Sequence, residues 1–240
     1  MKLVVAGGLP SVGKTQILAH ALHHLQHRGH KVLVAKLDCL VADDGEAYGR
    51  KGIDTVTGLS TYVCPDHYLA TNIDRIVAWA AEQGADLLAI ESAGLCNRCS
   101  PYVRDALAVA VMDITSGIST PRKVGPLLHS ADIVVLTRGD LVSQAEREVF
   151  RCRVAMVNRR AIILEVNGLT GQGSLTLSQH LHNAPALSVG APLRLRYTMP
   201  AAVCSFCLGE KRLGAEFAGG NVRLMDLPGS PSTRPARRRE

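Results

Sequence analysis

The sequence predicts an α/β fold, a mostly parallel sheet flanked by helices, and three observations carry that expectation. The 240 residues are 47% apolar but only 4% aromatic, and the apolar positions come in short Val/Ile/Leu/Ala runs bounded by Gly and polar residues, as strands buried on both faces require. The length suits a single sizeable core. A glycine-rich loop lies between the first apolar run and the first helical pattern, the arrangement in which such loops bind phosphate.

Taken in order, a strand at 2–6 leads into Gly8, Leu9, Pro10, Ser11, Val12, Gly13, Lys14 and Thr15, with Gln16 just inside the following helix. This is G-x-x-x-x-G-K-[ST] in its strand–loop–helix setting, which makes the fold that of a P-loop NTPase. Backbone N–H groups reach phosphate oxygens, Lys14 neutralises β/γ charge, and Thr15 offers a hydroxyl to Mg²⁺. Over 14–28, Ile17, Leu18, Ala21, Leu22 and Leu25 form one helical face. His20, His23, His24 and His27 fall on the other, either as a solvated polar face or as imidazole pairs one turn apart that chelate a divalent ion.

A second strand, 31–37, runs into Asp38 and Cys39, the latter a thiol ligand or a small core residue. A crossover helix at 71–84 then precedes a strand at 86–90 that ends at Glu91. Carboxylates at the C-terminal ends of parallel strands stand in the ligand crevice. Asp38 and Glu91, with Lys14, are therefore the catalytic candidates, reaching the Mg²⁺ shell beside Thr15 or orienting a water. A strand at 107–112 is followed by 121–129, expected to be helical and polar enough to lie on the surface. Strands at 131–136 and 161–166, separated by an amphipathic helix at 143–157, end in two loops of base-recognition character. These are Thr137, Arg138, Gly139 and Asp140, and Asn167, Gly168 and Leu169. Asp140 can accept two hydrogen bonds from the guanine N1–H and exocyclic amine, which adenine does not offer, so GTP is the expected nucleotide.

The expected organisation is a nucleotide domain at 1–184, a small Cys-containing extension packed on it at 185–227, and a disordered basic tail at 228–240. Net charge is +6, but four arginines lie in the last seven residues, so the excess belongs to the tail and no nucleic-acid partner is expected. No apolar run reaches the ~18 residues of a membrane span, and the opening run is too short for an export signal. A cytoplasmic protein with no membrane partner is expected. Its seven cysteines are an odd number, which favours reduced thiols used as ligands over a disulfide framework. Cys96-x-x-Cys99 and Cys204-x-x-Cys207 have thiolate-pair spacing: joined, they would hold zinc or a [4Fe–4S] cluster, and apart they would serve redox or structural ends.

The order of these parts resembles the GTPases that insert nickel into hydrogenase and urease. The resemblance covers about 2–181 and is carried by the loop at 8–15, Asp38, the E-x-x-G of Glu91, the D-I-T-x-G from Asp113, "ADIVVLTRGDL" and "EVNGLTGQG". It implies a GTP-hydrolysing metallochaperone, its partners a client metalloenzyme or its maturation factors, whose nucleotide state controls homodimerisation and transfer of Ni²⁺ or Zn²⁺. By the same resemblance Cys64 and His67 of Cys64-Pro65-Asp66-His67 are metal ligands, with Asp66 inserted relative to the tighter family spacing. Two such pairs across a dimer would close a four-coordinate site. Leu9 stands where the related partition and arsenite-pump ATPases carry an additional lysine. The family's N-K-x-D reads Thr137-Arg138-Gly139-Asp140 here, which predicts loss of the Asn contact that buttresses the phosphate loop. Cys96 and Cys99 follow Glu91 by five and eight residues, so departure of the γ-phosphate is expected to displace them through Gly94. The rival expectation is a nucleotide-driven iron–sulfur reductase or activator ATPase with its cluster on the two C-x-x-C pairs.

Overall fold

The computed structural model describes residues 1–41, 46–93, 102–197 and 209–229. Seven strands, β1 (Lys2–Gly8), β2 (Val32–Asp38), β3 (Asp54–Leu59), β4 (Leu87–Ser92), β5 (Leu107–Asp113), β6 (Ile133–Thr137) and β7 (Ile162–Glu165), form one sheet. Their order is β3-β2-β4-β1-β5-β6-β7, and every neighbouring pair is parallel. The chain leaves β1 in one direction to build β2 and β3, and later crosses to its other side to build β5 to β7. All strand C-termini therefore share one edge, and the reversal of winding opens a crevice beside the end of β1.

Strand residues alternate between two cores, as the period-two geometry of a strand dictates. Val4 and Ala6 pack with Ile17, Leu18 and Leu22 of α1 (Lys14–His27), Tyr48 of α2 (Glu46–Gly49) and Leu177 and Leu181 of α7 (Ser174–His182). Leu3 and Val5 pack on the opposite side, in the cluster that holds Leu69, Ile73 and Ile76 of α3 (Pro65–Glu82), Leu127 and Leu128 of α5 (Pro126–His129) and Phe150 and Val154 of α6 (Gln144–Val157). The short α4 (Thr120–Lys123) lies beside α6. Helix α6 starts where Ser143 and Glu146 form a reciprocal capping box, which satisfies two otherwise orphaned backbone donors.

Three sequence expectations change. The edge strand β3 was not foreseen; its sequence DTVTGL has only two buried positions, too few for a continuous apolar run. Helix α3 begins at Pro65, not at 71, because proline at the first helical position is pre-set in φ and lacks an N–H the helix could not use. The 121–129 segment is not a polar surface helix. It is broken at Gly125, with φ of 57°, and Val124, Leu127 and Leu128 are buried: three apolar side chains outweigh the basic ones beside them.

The chain beyond α7 contributes to the same core through Leu187, Leu193, Leu195, Leu213, Met225 and Leu227. Asn72 of α3 donates to the Arg223 carbonyl and accepts from the Met225 N–H, at 2.9 and 2.8 Å. Arg75 donates to the Met225 carbonyl at 2.9 Å. Arg196 pairs with both carboxylate oxygens of Asp132 at 2.8 and 2.6 Å, and also donates to the carbonyls of Val103, Ser130 and Ala106. Of the tail read from sequence as disordered, 228–240, residues 228 and 229 form a turn and 230–240 lie outside the described residues. Replacing Arg196 with Ala removes a bidentate ion pair and three carbonyl partners at once, and is expected to lower unfolding stability by roughly 2 kcal/mol, measured by chemical denaturation.

Candidate nucleotide and metal site

The phosphate loop connects β1 to α1 at the sheet's C-terminal edge. Gly13 is in the left-handed region, with φ of 88°, and α1 starts immediately after it; a side chain there would be strained. The Lys14 ammonium lies back across the loop and donates to the carbonyls of Gly8 and Leu9, at 3.1 and 2.9 Å. A cavity of about 220 Å³ is lined by Pro10, Ser11, Lys14, Lys36, Asp38, Glu91 and Ala93. A second, of about 140 Å³, runs along Ser11, Gly13, Lys14, Thr15, Gln16 and Glu91. The predicted phosphate and catalytic residues are thus assembled around adjoining spaces.

Register explains how. Lys36 of β2 and Ala6 of β1 are both aligned with Glu91 of β4, so the Lys36 and Glu91 side chains emerge side by side toward α1, and Asp38, two residues on, follows on the same face. Glu91 is 2% exposed. It accepts from the Thr15 hydroxyl at 2.7 Å, from the Tyr48 hydroxyl at 2.7 Å and from the Lys36 ammonium at 3.3 Å. Lys36 also donates to Thr15 Oγ1 at 3.1 Å and lies 3.7 Å from Asp38 Oδ2. Asp38 differs from Glu91 in keeping a quarter of its side chain open to solvent, so of the two acids it is the one that faces incoming water. A hydroxyl and two carboxylates are hard oxygen donors of the kind Mg²⁺ takes, and in that respect Thr15, Asp38 and Glu91 fit the ion.

Thr137 does not forfeit the contact that its replacement of Asn was expected to lose. Its hydroxyl donates to the Val12 carbonyl at 2.8 Å and also lies 3.3 Å from that of Met112, so a shorter side chain still ties β6 to the phosphate loop. Arg138, at φ 58°, adds a second tie by donating to the Ser11 carbonyl at 2.8 Å while pairing with Asp113. The two predicted base-recognition loops converge: Gly139, Asp140, Asn167, Gln172 and Gly173 line one cavity of about 350 Å³ with Arg147 and Glu165. Asp140 is exposed there. Asn167 is committed to its own loop, its side-chain oxygen accepting from the Leu169 and Thr170 N–H groups at 2.8 and 3.0 Å. Gly168 packs over Gln16, and Leu169 is 87% exposed. At Gly173 a Cβ would stand 2.2 Å from the Glu165 carbonyl, so only glycine closes the loop.

The proposed thiol and imidazole ligands divide by exposure. Cys64 is the exposed N-cap residue of α3, whereas His67, one turn later, is 4% exposed, and burial lowers its pKa. Asp66, between them, is 2% exposed and accepts from the Ser92 hydroxyl at 3.0 Å. Burial raises its pKa to about 6, against the opposing effects of that hydrogen bond and of Lys14. Cys39 is half-buried, its sulfur near the Thr61 carbonyl at 3.4 Å. Cys96, Cys99, Cys204, Cys207 and Gly94 lie outside the described residues. Among the described residues no three His, Cys, Asp or Glu side chains are grouped to hold a metal. The histidine face of α1 is not uniform: His24 meets the Ser174 hydroxyl at 3.0 Å and His20 packs against Gly171, while His23 and His27 touch through their Nε2 atoms at 2.9 Å. Sequence reasoning missed Lys36, Tyr48 and Ser92; a lysine inside the apolar run VLVAKLD was the one signal available.

Fold and site together define a P-loop NTPase of the doubly wound parallel type. The chain belongs to the CobW/HypB/UreG family, whose nucleotide-binding domain matches residues 2–165. It is 45% identical over 226 residues to the uncharacterized protein MJ0120 of Methanocaldococcus jannaschii, covering 94% of this chain and 97% of that one. It is 30% identical over 181 residues to the urease accessory protein UreG of Edwardsiella ictaluri, covering 70% and 86%. The fold is that of the hydrogenase maturation factor HypB of Archaeoglobus fulgidus (TM-score 0.60, 20% identity, 76% of this chain and 89% of that one). It is equally that of Helicobacter pylori HypB in complex with nickel (TM-score 0.62, 17% identity, 78% and 91%). No helix among the described residues is long and apolar enough to cross a membrane.

Two predictions follow from the geometry. Thr137→Val leaves the Val12 carbonyl without its side-chain donor, and should cost about 1 kcal/mol in thermal unfolding and weaken nucleotide binding several-fold in a fluorescence titration. Asp66 holds its proton more tightly folded than unfolded, so its contribution to stability is lost as pH rises from about 4 through about 6. Asp66→Asn is expected to remove that loss, its melting temperature gaining on the unsubstituted protein by on the order of 5 °C between about pH 4 and about pH 7.

Proposed function

We propose that this protein is a GTP-hydrolysing metallochaperone that couples nucleotide state to the binding and delivery of a transition metal, nickel first, to a client metalloenzyme or its maturation factors. The support is its family membership together with one structural observation. Consecutive residues of β4 point to opposite faces of the sheet, so Glu91 meets Thr15 of the nucleotide loop while Ser92 meets Asp66, between Cys64 and His67. A shift of β4 felt on one face is delivered to the other with no intervening loop. The 185–227 extension, a homodimer and a cytoplasmic location belong to the same reading.

In this reading the phosphates lie along the N–H groups of the loop at 8–15, and Lys14 leaves the Gly8 and Leu9 carbonyls to meet the β/γ oxygens. Asp140 takes the guanine edge. Asp38 orients the attacking water, and Glu91 holds Thr15 and Tyr48 in place. Mg²⁺, if it took Thr15, Asp38 and Glu91 over from the Lys36 ammonium, would neutralise charge on the β and γ oxygens. Cys64 and His67 supply thiolate and neutral imidazole, donors suited to Ni²⁺ or Zn²⁺, the metal being cargo.

Anaerobically purified protein tests this through GTP and ATP turnover and through nickel equilibrium dialysis in the GDP and GTP-analogue forms. GTP preference and a nickel affinity that differs at least about tenfold between the two forms, or about 1.4 kcal/mol, are expected. Lys14→Ala should abolish turnover. Ser92→Ala should retain turnover while bringing the two nickel affinities together. Equal affinities in the unsubstituted protein would refute the coupling, and a brown protein with broad visible absorption would replace nickel with an iron–sulfur cluster.

A further inference from the structure

The Lys36 ammonium lies 3.1 Å from Thr15 Oγ1, 3.3 Å from Glu91 Oε1 and 3.7 Å from Asp38 Oδ2. These are the three side chains whose oxygens suit Mg²⁺. A cation of the chain itself thus sits at the point on which the divalent-ion donors converge. It is 3% exposed, and strand register holds it there: Lys36 is aligned with Glu91 across β2 and β4, and both strands are paired on each side within the sheet. Burying an ammonium is unfavourable unless opposite charge and hydrogen bonds surround it, and here Glu91 supplies the charge at close range, with Asp38 at the solvent side. The same space borders Lys14 and Ser11 of the phosphate loop, so a triphosphate laid along the loop would meet two lysines.

We propose that Lys36 is a tethered counter-cation of the nucleotide site, standing in for the divalent ion so that nucleoside triphosphate binds with little dependence on Mg²⁺. The proposal rests on the nucleotide-binding reading above. Without Lys36, Lys14 alone would stand against two carboxylates and the triphosphate, and binding would require a divalent ion to offset the remaining repulsion. With Lys36, Glu91 and Asp38 are already neutralised in part, and an added divalent ion competes with a positive charge that cannot diffuse away.

The test is equilibrium binding of a fluorescent non-hydrolysable GTP analogue, in excess EDTA and in excess Mg²⁺, to the full chain and to Lys36→Met, which keeps side-chain length and removes the charge. The expected result is a Kd for the unsubstituted protein that changes less than about threefold between the two conditions. Lys36→Met should lose at least about tenfold in EDTA and recover most of it in Mg²⁺, since removing one buried charge leaves its partners exposed to the phosphates. Binding by the unsubstituted protein that weakens more than about tenfold in EDTA overturns the proposal, as does Lys36→Met binding undiminished in EDTA. If Lys36→Met fails to fold, the unsubstituted protein's two Kd values still decide the matter. Absence of binding in both conditions would instead remove the nucleotide reading on which the proposal stands.

Discussion

Glu91 is a carboxylate almost sealed from water at the end of a central strand, and a buried carboxylate is tolerated only where donors and positive charge surround it. Its donors come from three separate elements: Thr15 from the start of α1, Lys36 from β2 and Tyr48 from α2. The need to satisfy one acid thereby fixes the phosphate-loop helix, the neighbouring strand and a one-turn helix relative to β4. Because Lys36 and Glu91 are register partners in adjacent parallel strands, the pairing is set by the sheet itself. The rest of the site is arranged around this point.

A second tie, on the other side of β1, keeps the phosphate loop in place. Thr137 and Arg138 of the β6 end reach the carbonyls of Val12 and Ser11, so the loop is held from both flanks of the strand that precedes it. The Asn of the family motif is absent, but its mechanical office is filled by a hydroxyl and a guanidinium in concert. The loop at 167–173 then closes over α1, Gly168 against Gln16 and Gly171 against His20. The cavity beside Asp140, the phosphate loop and the carboxylate cluster lie along one edge of the sheet.

Much of this was legible in the sequence, for physical reasons that differ by element. Five of the six strands foreseen are apolar runs buried on both faces, and β7, an edge strand with no fully buried residue, was still legible as the apolar run Ile162–Leu164; β3 escaped notice because it lies at an edge and carries exposed Asp54 and Thr57. The phosphate loop is a local signal that needs no tertiary information. Convergence of Asp140 with the 167–173 loop could be inferred from strand order. The roles of Lys36, Tyr48 and Ser92 could not, since each depends on which residue of another strand or helix lies opposite. Likewise the division of Cys64 from His67 by exposure follows from where α3 starts and how it rotates onto the sheet, which a four-residue motif does not record.

Helix α3 carries Cys64 and His67 at its start, and along its length Asn72 and Arg75 grip the backbone of 223–225. Arg223 in turn donates to the Leu59 carbonyl at 3.0 Å, at the end of the edge strand just before the loop that leads into α3. The 223–225 segment is therefore a clasp across the root of that helix. Any tilt of α3 strains the clasp, and any partner that prised the clasp loose would free the thiol-bearing end of the helix to swing.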